Sequence, residues 1–211
     1  MTVLQLALDD LELERACVLA SQLGEYFALL EAGTPLIKRY GMEAVRRLRQ
    51  IEPRKILVAD MKTMDAGALE VQLALEAGAN IVTVLGCASN TTIQAALEMA
   101  NQRQGLIAVD LLNVSDKTAR ARELAQMGVH FIAVHTASDD QRQGRNPLAD
   151  LAQVSAAVHN PLMVAGGITP HTLPALLVYK PTILIIGSFV TKAADPLVAA
   201  QQLHALLPPA A

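Results

Sequence analysis

Residues 55–78 read KILVADMKTMDAGALEVQLALEAG. The stretch opens on a short apolar run that is too brief for a helix. It continues with apolar residues at three- and four-residue intervals, the spacing of one helical face. One strand followed by one amphipathic helix is the reading, and the unit recurs along the chain. Apolar runs begin at Val3 (VLQLALD), Phe27 (FALLEAG), Ile81 (IVTVLG), Leu106 (LIAVDLL), Phe131 (FIAVHT), Leu162 (LMVAGG) and Ile183 (ILIIGS). Helical segments such as KTARARELAQMG, 117–128, lie between them. With the run at Lys55 there are eight, spaced by roughly 26 residues and uninterrupted by any linker. Eight strand–helix units predict a (β/α)8 TIM barrel, a single domain over residues 1–211. A doubly wound open sheet is the alternative, but it usually carries a glycine-rich loop after its first strand. Here the first strand ends in LALDD.

The composition agrees with that architecture. The chain is 52% apolar but only 3% aromatic and has no tryptophan, so aliphatic side chains do the packing, as around a buried parallel sheet. A net charge of −3 without a basic stripe argues against a nucleic-acid partner. Cys17 and Cys87 have neither metal-ligand spacing nor the density of a disulfide scaffold. No signal-peptide pattern opens the sequence, and no apolar run approaches the ~20 residues of a membrane span. A cytoplasmic protein without a membrane partner is expected.

Barrel enzymes carry their reacting groups at the C-terminal ends of the strands. Here those ends hold Asp9, Glu31, Asp60 with Lys62, Asp110 and His135. Alternation along a strand puts Asp60 and Lys62 on one face, both able to enter the barrel mouth. Each residue alone has a structural reading. Asp9 and Asp65 suit helix N-caps, His135 a hydrogen-bonded core position, and Lys62 a counter-ion for Asp60. Together, at matching ends of several strands, they describe a site, because buried charges are costly unless paired or metal-bound. His130, His159, His171 and His204 read as solvent-facing. Gly166 and Gly167, and then Gly187 and Ser188, close the seventh and eighth strands, where such barrels frequently bind phosphate through backbone N–H groups. A small phosphorylated substrate is expected.

A Schiff-base lysine must be a neutral amine, but carboxylates beside Lys62 favour the ammonium. Lys62 is therefore expected to act as a fixed cation near developing negative charge. Glu31 and Asp60, on adjacent strands, suit Mg²⁺, which takes one or two carboxylates and leaves room for substrate oxygens. A divalent cation and an ammonium together stabilise an enediolate.

The segment DMKTMD, Asp60–Asp65, resembles the Asp-x-Lys-x-x-Asp signature of the orotidine phosphate decarboxylase superfamily. The resemblance runs through LQLALD, EAGTPLI, VADMKTMDAG, VTVLG, VHTASDDQ, VAGGI and IIGS, essentially the whole chain. It implies a Mg²⁺-dependent enzyme with Glu31 and Asp60 as metal ligands and a 1,2-enediolate intermediate. It also implies a homodimer with shared active sites, Asp65 serving the neighbouring subunit. The keto-gulonate-phosphate decarboxylases of this superfamily carry an arginine three residues after the histidine and a glutamate on the fifth strand. This chain has Ser138 and Asp110 there. Both departures point to the aldolase branch, in which ribulose 5-phosphate is condensed with formaldehyde. His135 would then be the proton-transfer group, Asp9 and Asp65 would orient hydroxyls and Lys62, and Asp110 would contact substrate. Gly166, Gly167, Gly187 and Ser188 would hold the phosphate. The decarboxylase reaction is the alternative, followed by a sugar-phosphate-binding barrel without turnover. Orotidine phosphate decarboxylase itself needs a further Lys–Asp arrangement and longer loops than this chain has.

Overall fold

A computed structural model describes residues 1–208. Strands and helices alternate from the start: β1 (Val3–Leu8), α1 (Leu13–Leu23), β2 (Leu29–Ala32), α2 (Thr34–Tyr40), α3 (Glu43–Ile51), β3 (Ile56–Thr63) and α4 (Gly67–Glu76). Next come β4 (Ile81–Leu85), α5 (Asn90–Gln102), β5 (Leu106–Asp110), α6 (Lys117–Met127), β6 (Phe131–His135), α7 (Ser138–Gln141) and α8 (Leu148–Ala157). The chain ends with β7 (Leu162–Ala165), α9 (Leu173–Leu177), β8 (Ile183–Ile186), α10 (Ser188–Thr191) and α11 (Pro196–His204). Each strand pairs in parallel with its neighbour in sequence, and β8 pairs with β1, so the sheet closes into the expected eight-stranded barrel. Closure leaves no unpaired sheet edge.

The strands are buried on both faces, which accounts for their near-continuous apolar sequence. Their outer faces meet the helices in one large aliphatic layer that includes Leu4, Leu30, Leu57, Val82, Val109, Val134 and Leu184. The inner faces change character along the barrel axis. At the N-terminal end Leu29, Val58, Ile81, Ala108, Ala133, Met163 and Ile183 form a separate apolar plug. One pleat further along the same strands stand Glu31, Asp60, Thr83, Asp110 and His135, which line a cavity of about 530 Å³. The plug is thus the floor on which the polar layer rests.

The simple alternation predicted one helix per strand. Three connections carry an extra short helix instead: α2, α7 and α10. All three open against the mouth, and their first residues, Thr34, Ser138 and Ser188, line the cavity. Segments this short have no two-turn apolar periodicity, so the helical pattern could not reveal them.

Candidate active site

Gln5 and Ala7 on β1 and then Asp9 beyond its end occupy alternate positions, and all three line the cavity. Asp9 was a candidate N-cap, but α1 starts only at Leu13, with Glu12 in the cap position. The Asp9 carboxylate leans over Gly33 instead: a Cβ there would lie 2.0 Å from its Oδ1. Gly33 is therefore needed for close approach.

Glu31 pairs in register with Ala7 on one side and Val58 on the other, so Asp60 stands one pleat further out on β3. Asp60 is densely held. Thr34 Oγ1 donates to its Oδ2 at 2.8 Å, Thr83 Oγ1 to its Oδ1 at 2.7 Å, and Lys62 Nζ to Oδ2 at 2.6 Å. Lys62 arrives by a route that alternation did not foresee. The β3–β4 register runs from Ala59↔Val82 to Thr63↔Val84, so β3 carries two extra residues there. Within that bulge Lys62 takes φ +47°, and its backbone N–H donates to Thr83 Oγ1 at 2.9 Å. The shared face of Asp60 and Lys62 is thus the work of a bulge, a device that re-aims side chains beside active sites.

From Lys62 the network continues. Its Nζ lies 3.5 Å from Asp110 Oδ2, which also meets His135 Nδ1 at 2.8 Å. Asp110 Oδ1 accepts the Leu112 N–H at 2.9 Å. Asp110, expected to contact substrate, thus spends both oxygens on protein donors. With Nδ1 donating to a carboxylate, the neutral His135 ring carries its lone pair on Nε2.

The electrostatics follow from this packing. Burial opposes the Lys62 ammonium, but Asp60 and Asp110 outweigh it, and its proton is held more tightly than in water. Burial alone would raise Asp110; the hydrogen bond and charge of His135, with Lys62, overcome it and hold the carboxyl below its usual range. Burial, then the charges of Asp60 and Asp9, push Glu31 well above the carboxylate range. Burial and Asp60 raise Asp9 likewise.

Among the described residues no group of three or more His, Cys, Asp or Glu is arranged to hold a metal unaided. Two carboxylates suffice for Mg²⁺, however, when water and substrate complete the shell. Asp9, Glu31, Asp60 and Asp110 face one ammonium deep in the cavity, and the raised proton affinity of Glu31 and Asp9 expresses a crowding of carboxyls that a cation would relieve. Glu31 Oε2 accepts from Gln5 Nε2, whereas Glu31 Oε1 receives no protein donor and is not sealed from the cavity. Glu31 and Asp60 therefore fit a small hard cation.

The glycine side is built differently. Gly166 has φ +113°, and a Cβ on it would meet Thr136 O at 2.7 Å. Gly166, Gly167, Gly187 and Ser188 all line the cavity, and Lys192 joins them there with its Nζ 3.8 Å from Asp10 Oδ2. Asp65 lies apart. It is exposed, its Oδ1 accepts the Ala66 N–H at 2.7 Å, and it is not part of the cavity wall. Of the histidines read as solvent-facing, His130 is half-buried and accepts the Ile107 N–H on Nδ1 at 3.1 Å, a strand-tying role.

Gln5, Thr34, Thr83 and Lys192 were missed. Gln5 and Thr83 had a signal: each is a polar residue inside an apolar run, in step with an inward-facing carboxylate or with the strand's polar end. Thr34, before Pro35, marks a helix start. Gln5 is also anomalous energetically. Its side chain is fully buried and its Oε1 has no partner, a state that costs of order 1–3 kcal/mol.

A family model described as orotidine 5′-phosphate decarboxylase / HUMPS matches residues 2–203. The chain is 38% identical over 205 residues to a 3-hexulose-6-phosphate synthase of Bacillus subtilis (strain 168), spanning 97% of this chain and 98% of that one. Among solved structures it is similar to 3-hexulose-6-phosphate synthase from Salmonella typhimurium, with a TM-score of 0.94 and 37% identity over 97% of each chain. It is also similar to 3-keto-L-gulonate-6-phosphate decarboxylase from Vibrio cholerae, with a TM-score of 0.85 and 31% identity over 97% of this chain and 96% of that one.

Proposed function

The chain belongs to the orotidine 5′-phosphate decarboxylase / HUMPS family, and on that premise we propose that it is a Mg²⁺-dependent aldolase, a 3-hexulose-6-phosphate synthase. It would condense formaldehyde with D-ribulose 5-phosphate through a 1,2-enediolate. The observation that carries this reading is the bridge through Asp110, which ties the Lys62 ammonium to the His135 imidazole. Enolisation needs a base and a fixed positive charge within reach of the same two carbons. The network supplies both.

In this reading His135 Nε2 takes the proton from C1 of the pentulose, and Asp110 steadies the imidazolium that results. Lys62, kept cationic by Asp60 and Asp110, offsets the charge on the enediolate oxygens. Mg²⁺, held by Glu31 and Asp60, supplies further Lewis-acid stabilisation of that charge when bound. C1 then attacks the formaldehyde carbon, and the new alkoxide takes the proton back from the imidazolium. Asp9 orients substrate hydroxyls. The backbone at Gly166, Gly167, Gly187 and Ser188 holds the phosphate, with Lys192 as its counter-charge. The sugar-phosphate class is supported by the names of the relatives, in both branches. Ser138 lines the cavity where the keto-gulonate-phosphate decarboxylases carry a guanidinium, which favours the aldolase over that reaction.

The protein would act in the cytoplasm as a homodimer. Exposed Met64, beside Asp65 in sequence, and exposed Leu69 and Leu73 on α4 support an interface that carries this carboxylate to a neighbour's mouth. The direct test incubates pure protein with Mg²⁺, ribulose 5-phosphate and formaldehyde. Formaldehyde should disappear with equimolar hexulose phosphate formed, and EDTA should stop it. No consumption, or consumption indifferent to EDTA, rejects the reading. More efficient release of carbon dioxide from 3-keto-gulonate 6-phosphate assigns the decarboxylase instead.

A further inference from the structure

We propose that Gln5 is a positioning residue for the cation seat, its amide turning Glu31 so that one carboxylate oxygen faces the cavity. This rests on the reading of Glu31 as a metal ligand.

Gln5 sits on β1 inside the barrel, with none of its surface exposed. The cavity that Gln5 lines also carries the apolar Ala7, Ala108, Ala133, Met163 and Ile185. A methionine or leucine of similar volume would fill the same space without stranding a polar atom. The amide instead leaves its Oε1 unpartnered. Its single side-chain partner is Glu31, whose Oε2 accepts from Gln5 Nε2. That contact has a geometric consequence. Anchoring Oε2 against β1 fixes the plane of the carboxylate, and Oε1 is the oxygen left open to the cavity. Asp60 is oriented too, with Thr34 Oγ1 donating to its Oδ2 and Thr83 Oγ1 to its Oδ1. Both members of the seat thus have oriented oxygens, as metal ligands held by outer hydrogen bonds do. The remaining wall offers Glu31 no such donor.

Packing and positioning make opposite predictions for the same substitution. If Gln5 only fills space, Gln5→Met or Gln5→Leu fills it equally well and leaves metal affinity alone. If it positions Glu31, removing the stranded amide keeps or raises the Tm of the metal-free protein while binding weakens. The experiment is calorimetric titration of Mg²⁺ into EDTA-stripped, dialysed protein, with thermal melts of the same samples. Both variants should raise the Mg²⁺ Kd by about 10–100-fold with Tm unchanged or higher. An unchanged Kd overturns the proposal, as does a fall in Tm or loss of folding in both variants. Wild-type protein that binds no Mg²⁺, matching Glu31→Gln, overturns the metal reading and this inference with it. Wild-type binding with unaltered variants overturns the inference alone.

Discussion

Lys62 concentrates the cost of the site in one residue. Its φ of +47° lies in the left-handed region, which costs a residue with a Cβ roughly 1–2 kcal/mol. The backbone hydrogen bond to Thr83 and the ion pairs with Asp60 and Asp110 hold it there. Two substitutions separate the side chain from the backbone. Lys62→Ala and Lys62→Gly both remove the ammonium, and each should lower kcat by at least about 10²-fold with the fold intact. Only glycine relaxes the backbone. Lys62→Gly should therefore be more stable than Lys62→Ala by about 1 kcal/mol in urea unfolding, because both leave the same carboxylates behind. Equal midpoints would show that the bulge carries no strain.

At the scale of elements, β5 and β6 are joined through Asp110 and His135 in addition to their backbone ladder. The Asp110 carboxyl titrates below its ordinary value of 3.8 because His135 and Lys62 outweigh its burial. The folded state therefore binds that proton less readily than the unfolded chain. The stabilisation is complete above the ordinary value and drains away as the pH falls through the depressed one. Asp110→Asn has no such contribution to lose, so its Tm should fall less steeply than the wild type's below about pH 4. Parallel acid limbs would mean that the pairing adds nothing to folding. Much of this level was legible in the sequence, because period-two alternation marks which residues of β2, β5 and β6 face inward. The bulge in β3 was not, since an extra pair of residues shows only against the neighbouring strand. The short helices α2, α7 and α10 escaped for want of length, although Pro35 announced the first.

At the scale of the whole molecule, Asp65 is exposed and lies outside the cavity of its own barrel. Met64, next to Asp65 in sequence, is 52% exposed, and Leu69 and Leu73 on the following helix α4 are 59% and 44% exposed, an apolar face on the same segment. If two copies bury that face, each supplies Asp65 to the other, and an isologous dimer has two such sites. Lys62→Ala and Asp65→Ala homodimers should then both be nearly inactive. Co-expressed, they form mixed dimers in which one site carries both lesions and the other neither. About a quarter of wild-type activity should return if subunits assort at random. No recovery would confine the site to a single subunit.

The sequence alone determined the eightfold repeat, the barrel, and the acidic, basic and imidazole groups at its C-terminal rim. These are local properties, carried by periodicity along each strand and by the identity of residues at its end. Tertiary structure decided who pairs with whom: Asp110 between Lys62 and His135, Thr34 and Thr83 on Asp60, and Gln5 beneath Glu31. The reason is that each of these contacts spans separate elements of the barrel. Their partners meet only when strand register, the β3 bulge and barrel closure bring distant segments to one level.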